Sequence, residues 1–164
     1  MDEEKLEKAH RYAARSGRTV LDDNLGCGIH GTVALIGSPV QPVNSVLKLH
    51  FGEDAYQREL DVYRHLQSLK METICGCEIP QLLGYDDDEL ALEMTVVKPP
   101  YVLDFGQAYL YWQPEFPDDV WEATYEKWRE VFGDDWGKAS AILDAFEAID
   151  VYMLDPTPSN FRFR

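Results

Sequence analysis

The sequence predicts an α+β fold: an antiparallel five-stranded sheet with one inserted helix, followed by a reduced helical half. Three observations predict it. The first hundred residues alternate short β-branched and leucine-rich runs with Gly and Pro turns. One helical period interrupts them, between Asp54 and Leu69. After Pro99-Pro100 the apolar spacing becomes helical, and all four tryptophans, Trp112, Trp121, Trp128 and Trp136, fall in this second part. The expected organisation is an N-terminal helix over 1–17, a sheet-rich half over 18–98 and a helical half over 99–164.

Each element has its own signal. Leu6, Ala9, Tyr12 and Ala13 recur at helical spacing between Glu3 and Ala14, and Gly17 is a stop. Thr19-Val20-Leu21, Gly31 to Ile36 and Ser45 to His50 read as strands, with a Gly/Pro turn from Gly37 to Pro42. Tyr56, Leu60, Tyr63 and Leu66 form the apolar stripe of the inserted helix. Leu82 to Tyr85 and Leu90 to Val97 flank the acidic turn Asp86 to Glu89 as a hairpin. Asp119-x-x-Glu122 has the form of a capping box ahead of a helix through Phe132. A last helix is expected from about Lys138 to Ile149.

Composition narrows the function. At 164 residues and 45% hydrophobic, the chain can bury a core as one domain, or as two small lobes sharing a cleft. A net charge of -15 argues against a general electrostatic footprint for nucleic acid or anionic membrane. Cys75 and Cys77 are too close for an ordinary disulfide and lack a nearby His for zinc, so these and Cys27 read as reduced thiols. With a charged N-terminus and no long apolar run, a cytoplasmic protein is expected.

Several residues look chosen for chemistry. Gly26, Gly28, Gly31 and Val33 form a Gly-x-Gly-x-x-Gly-x-Val run, whose backbone can approach phosphate oxygens. A dinucleotide site needs a helix after such a run. Here strand residues Thr32 to Ile36 follow, as in the glycine-rich loop of a kinase. Lys48 interrupts the apolar strand Val46-Leu47-Lys48-Leu49, and Glu59 sits on the inward stripe of the inserted helix. Each charge costs free energy there unless partnered, so together they suggest an ion pair. Near the end, Asp155 and Asn160 bracket Pro156 and Pro158.

In this order the glycine run, Lys48, Glu59, Val96-Val97 as a hinge and the Asp155-to-Asn160 loop resemble the protein-kinase superfamily. The resemblance spans about residues 18 to 164. It implies an ATP-binding cleft in which Glu59 positions Lys48 on the phosphates, Asp155 serves the acceptor hydroxyl and Asn160 holds magnesium. Met153 and Leu154 stand where the family carries His-Arg, and Thr157 where it often carries Lys. The family's second metal carboxylate follows the Asn, and this sequence stops four residues after Asn160. Asp104-Phe105-Gly106 spells that motif but precedes the loop, and reads as a turn into the helical half. His30 reads as a surface residue at the tip of the glycine loop.

Three functions stay open on these residues. One is a minimal phosphotransferase acting on a hydroxyl of a protein or small molecule. Another is a catalytically inactive, pseudokinase-like module acting through a protein partner, with the tryptophan-rich half as its surface. The third is a structural relic in which Lys48 and Glu59 are simply paired.

Overall fold

The computed structural model describes residues 1–38 and 43–164. The turn expected between Gly37 and Pro42 falls mostly outside the described residues. Helix α1 (Glu3–Arg15) starts at Asp2, whose Oδ1 accepts the Lys5 backbone N–H at 2.8 Å. Glu3 and Glu4 lie in its first turn and Arg15 in its last, matching the helix dipole at both ends. Next come β1 (Thr19–Cys27), β2 (Gly31–Gly37) and β3 (Ser45–His50), then α2 (Glu53–Ser68). The short strands β4 (Thr73–Ile74) and β5 (Cys77–Glu78) precede β6 (Leu82–Asp86) and β7 (Ala91–Thr95).

The expected five-stranded antiparallel sheet forms in the order β1-β2-β3-β7-β6. Alternation divides its residues between two faces. Ile36, Leu47, Leu49 and Ala91 pack beneath α1 with Ala9, Tyr12 and Ala13. Glu93, on the α1 face, accepts from the Tyr12 hydroxyl at 3.1 Å and from Ser45 Oγ at 2.7 Å, and pairs with Arg18. These contacts fix α1 to the sheet. Lys48, one residue along from Leu47, is left facing α2.

The second half is less purely helical than its sequence suggests. It contains β8 (Tyr101–Val102), β9 (Ala108–Leu110), α3 (Asp118–Phe132), α4 (Trp136–Glu147), β10 (Val151–Met153) and β11 (Phe161–Arg162). A single 3₁₀ turn, Gly133–Asp135, joins the two helices. The Asp119–Glu122 capping box does not form: α3 begins two residues earlier than that box requires, after Pro117, with no side-chain cap. Asp118 and Asp119 instead complement the dipole from the first turn. Helix α4 starts and ends two residues before its expected limits.

Two short pairings organise this half. β10 runs antiparallel to β9, and β11 runs antiparallel to β8 within the sheet β11-β8-β5-β4. A single apolar cluster joins both halves, from Tyr56, Leu60 and Leu92 through Phe105 to Ile142, Phe146 and Phe161. Among the described residues no helix is long and apolar enough to cross a membrane.

Candidate functional site

Lys48 and Glu59 meet in the interior. Lys48 Nζ lies 2.6 Å from Glu59 Oε2, with both side chains buried. The same nitrogen lies 2.7 Å from Asp104 Oδ1. Burial works against the Lys48 ammonium, but the Glu59 and Asp104 carboxylates outweigh it and hold its pKa above the ordinary lysine value. Burial likewise opposes charge on Glu59, and is outweighed by Lys48 and His50, which bring its pKa down to about 2. Glu59 is therefore anionic.

His50 is the third partner, on the same face of β3 as Lys48. Its Nε2 lies 2.7 Å from Glu59 Oε2, and its Nδ1 lies 3.2 Å from the Leu90 carbonyl oxygen. Glu59 Oε2 thus takes two partners. Glu59 Oε1 is buried and has none among the described residues.

Asp104 reaches Lys48 because two loops are pinned side by side. One loop joins β8 to β9 and carries Asp104-Phe105-Gly106; the other joins β10 to β11 and carries Asp155 to Asn160. At one end Phe161 pairs with Val102, and the Leu103 N–H donates to the Asn160 carbonyl at 2.9 Å. At the other end Met153 pairs with Ala108, and the Leu154 N–H donates to the Gln107 carbonyl at 3.3 Å. Phe105 anchors the first loop from below. It is fully buried, with its ring edge-on to Tyr63 at 5.2 Å and to Phe146 at 5.6 Å. With Phe105 held down, Asp104 turns up into the cleft at a φ of 64°.

A cavity of about 470 Å³ opens in front of these groups. Gly26, Gly28, Gly31 and Val33 line it from the β1–β2 hairpin, Lys48 and Glu59 form its floor, and Thr95 to Val97 line the hinge. Asp104, Ser159 and Asn160 close it from the second half. Gly31 has a packing reason to be glycine, since a Cβ there would stand 2.5 Å from the Leu49 carbonyl oxygen. At Gly28 a Cβ would meet nothing within 4 Å, and the Gly28 N–H donates to the Gly31 carbonyl oxygen at 2.9 Å.

The structure brings together Gly26, Gly28, Gly31, Val33, Lys48, Glu59 and Asn160 around one cavity. Asp155 does not line it; its backbone carbonyl lies 3.5 Å from Asn160 Nδ2. Two sequence readings need correction. His30 is not a free surface tip: it is half-buried, with Nε2 2.8 Å from Gln107 Nε2, so the glycine hairpin leans on the Asp104 loop. Asp104 is more than a turn residue, because it completes the Lys48 ion pair. The Asp-Phe-Gly spelling was the available signal for it.

No protein-family model matches the chain, and neither does any curated protein. Among solved structures, the chain is similar to the crystal structure of the M. tuberculosis PknI kinase domain. That similarity has 19% identity and a TM-score of 0.34, and it covers 81% of this chain and 49% of that one. The chain thus spans about half the length of the solved kinase domain that it matches.

Proposed function

We propose that this α+β protein is a kinase-like ATP-binding phosphotransferase in which Asp104 takes the role of the second metal carboxylate. The observation that carries this reading is Lys48 Nζ held between Glu59 and Asp104, in a cavity whose far wall includes Asn160. The kinase family places that carboxylate after the catalytic loop; here it comes earlier in the chain. Strand pairing makes the order immaterial, because the two loops are joined at both ends.

The residues fit magnesium. Asp104 Oδ2 and Asn160 Oδ1 have no hydrogen-bond partner among the described residues. They offer two oxygens at one wall, and magnesium is commonly held by one or two protein groups with phosphates and water completing its shell. When bound, the metal would neutralise charge on the phosphates. Lys48 would grip the phosphates, positioned by Glu59, whose carboxylate His50 also contacts. Backbone N–H groups of the glycine hairpin would face the same phosphates, and the segment Thr95 to Val97 would border the base. Asp155 would orient the acceptor hydroxyl and take up its proton.

Asp155 standing outside the cavity favours a second reading, a module that binds nucleotide without transferring phosphate and works through a protein partner. Thermal-shift titration with ATP, with and without magnesium, tests the shared step. A ligand at about a hundred times its Kd raises stability by about 2.7 kcal/mol. No shift at millimolar Mg-ATP would remove both readings. A shift with no transfer to any hydroxyl acceptor, or to water, would leave the binding module.

A further inference from the structure

We propose that the aromatic cavity between α3 and α4 is a binding site for an alkylammonium group. Trp121, Tyr125 and Trp128 lie along one stripe of α3, and Trp136 stands at the start of α4. All four line this cavity, together with Asp144 and Glu147. Its free space is about 40 Å³, enough for a small head group, since one water needs about 10–15 Å³.

The chemistry of the walls selects the ligand. Indole and phenol faces attract a cation through their quadrupoles, most strongly where water is partly excluded. Trp128 is buried and Trp121 and Trp136 are half-buried, so these three rings are partly shielded, while Tyr125 is exposed. Asp144 and Glu147 add two negative charges at the rim. Neither carboxylate forms an ion pair or a side-chain hydrogen bond among the described residues. The pKa of the Tyr125 hydroxyl is raised by burial first and then by the charges of Glu147 and Asp144. An anionic ligand would be repelled here, and a neutral one would gain at most a hydrogen bond from the carboxylates, without the charge attraction that an ammonium adds.

Gln113, Ser140 and Leu143 also line it, as do Tyr152, Met153 and Leu154, and Asp155 is the next residue in the chain. Resting on the phosphotransferase reading, this adjacency makes an ammonium-bearing alcohol the substrate class. Its head would sit in the aromatic cavity and its hydroxyl would point toward Asp155. The same head chemistry occurs in a small free amino alcohol and in a lysine side chain next to a serine or threonine hydroxyl of a peptide.

Tryptophan fluorescence of the whole chain, without nucleotide, tests the site independently of the ATP reading. n-Butylammonium chloride is titrated against 1-butanol as its neutral counterpart, at matched ionic strength. We expect a saturable change with the ammonium and none with the alcohol over the same range. The double variant Asp144→Asn/Glu147→Gln, whose positions are exposed, should keep its melting temperature and bind at least tenfold more weakly. Equal responses to amine and alcohol, no saturable response, or unchanged binding by the double variant would each overturn the proposal. Ethanolamine and a blocked Lys-Ser dipeptide amide, run in parallel, separate the two sources: the tighter binder names the natural one. Binding of n-butylammonium by a chain that fails to bind Mg-ATP would sink the phosphotransferase reading while leaving this site standing.

Discussion

Asp104 and Lys48, far apart in sequence, share a 2.7 Å ion pair at the back of the cleft. Lys48 keeps a second, wholly buried carboxylate partner in Glu59, so the Asp104 contact is the exchangeable one. Asp104→Asn should leave binding of metal-free ATP within about twofold of the parent. It should weaken Mg-ATP by about tenfold or more, the scale seen when groups around a metal are altered. Calorimetric titration with and without magnesium checks this. Equal loss in both titrations would show Asp104 to be only a partner for Lys48.

The buried pair sets a pH dependence of stability. Glu59 falls from its usual 4.5 to about 2 on folding. A carboxylate with a depressed pKa contributes stability that is fully present above its unfolded value and lost as pH falls through the folded one. Urea midpoints should therefore fall between about pH 4.5 and pH 2, and Glu59→Gln should flatten that part of the decline. Lys48→Met should cost on the order of 3 kcal/mol at neutral pH, because it strips a buried carboxylate of its main counter-charge.

Two glycines of one motif should behave differently. Gly31→Ala places a Cβ 2.5 Å from the Leu49 carbonyl oxygen, which should destabilise the fold by about 1–3 kcal/mol. Gly28→Ala meets no neighbour and should change stability by less than about 0.5 kcal/mol. Nucleotide affinity should fall in Gly28→Ala all the same. Chemical denaturation beside ATP titration separates the two effects.

Phe105 links the cleft to the core. Phe105→Ala removes a fully buried ring packed on Tyr63 and Phe146, and should cost about 3–5 kcal/mol. Phe105→Leu should recover most of that stability. If the ring also aims Asp104, Phe105→Leu will bind Mg-ATP more weakly than the parent while still folded; unchanged binding would limit Phe105 to packing.

The strong periodic elements were legible because their side chains repeat often enough to show a period. The stripe Tyr56, Leu60, Tyr63 and Leu66 named its helix, and Lys48 and Glu59 stood out as charges on apolar faces. The contact between the Asp104 loop and the Asn160 loop was not legible. It rests on strands of two and three residues, which are too short to carry alternation. His30 was misplaced for the same reason, since its partner Gln107 is fixed only by that long-range pairing. The failed capping box at Asp119 shows how short motifs mislead: the chain entered the helix at Pro117 and left the pattern unused.

The joined loops also bear on how the chain folds. Both pairings, β8 with β11 and β9 with β10, enclose α3 and α4, so neither can close until the intervening chain has turned back. Closing so long a segment carries an entropic penalty and slows any step that depends on it. The sheet made by β1, β2 and β3 has mostly local pairings and is free to form first. The ion pair at Lys48 would then acquire Asp104 only in the last stage, so binding competence and completion of folding become one event. A chain arrested before that stage would keep its sheet and lose the whole far wall of the cleft.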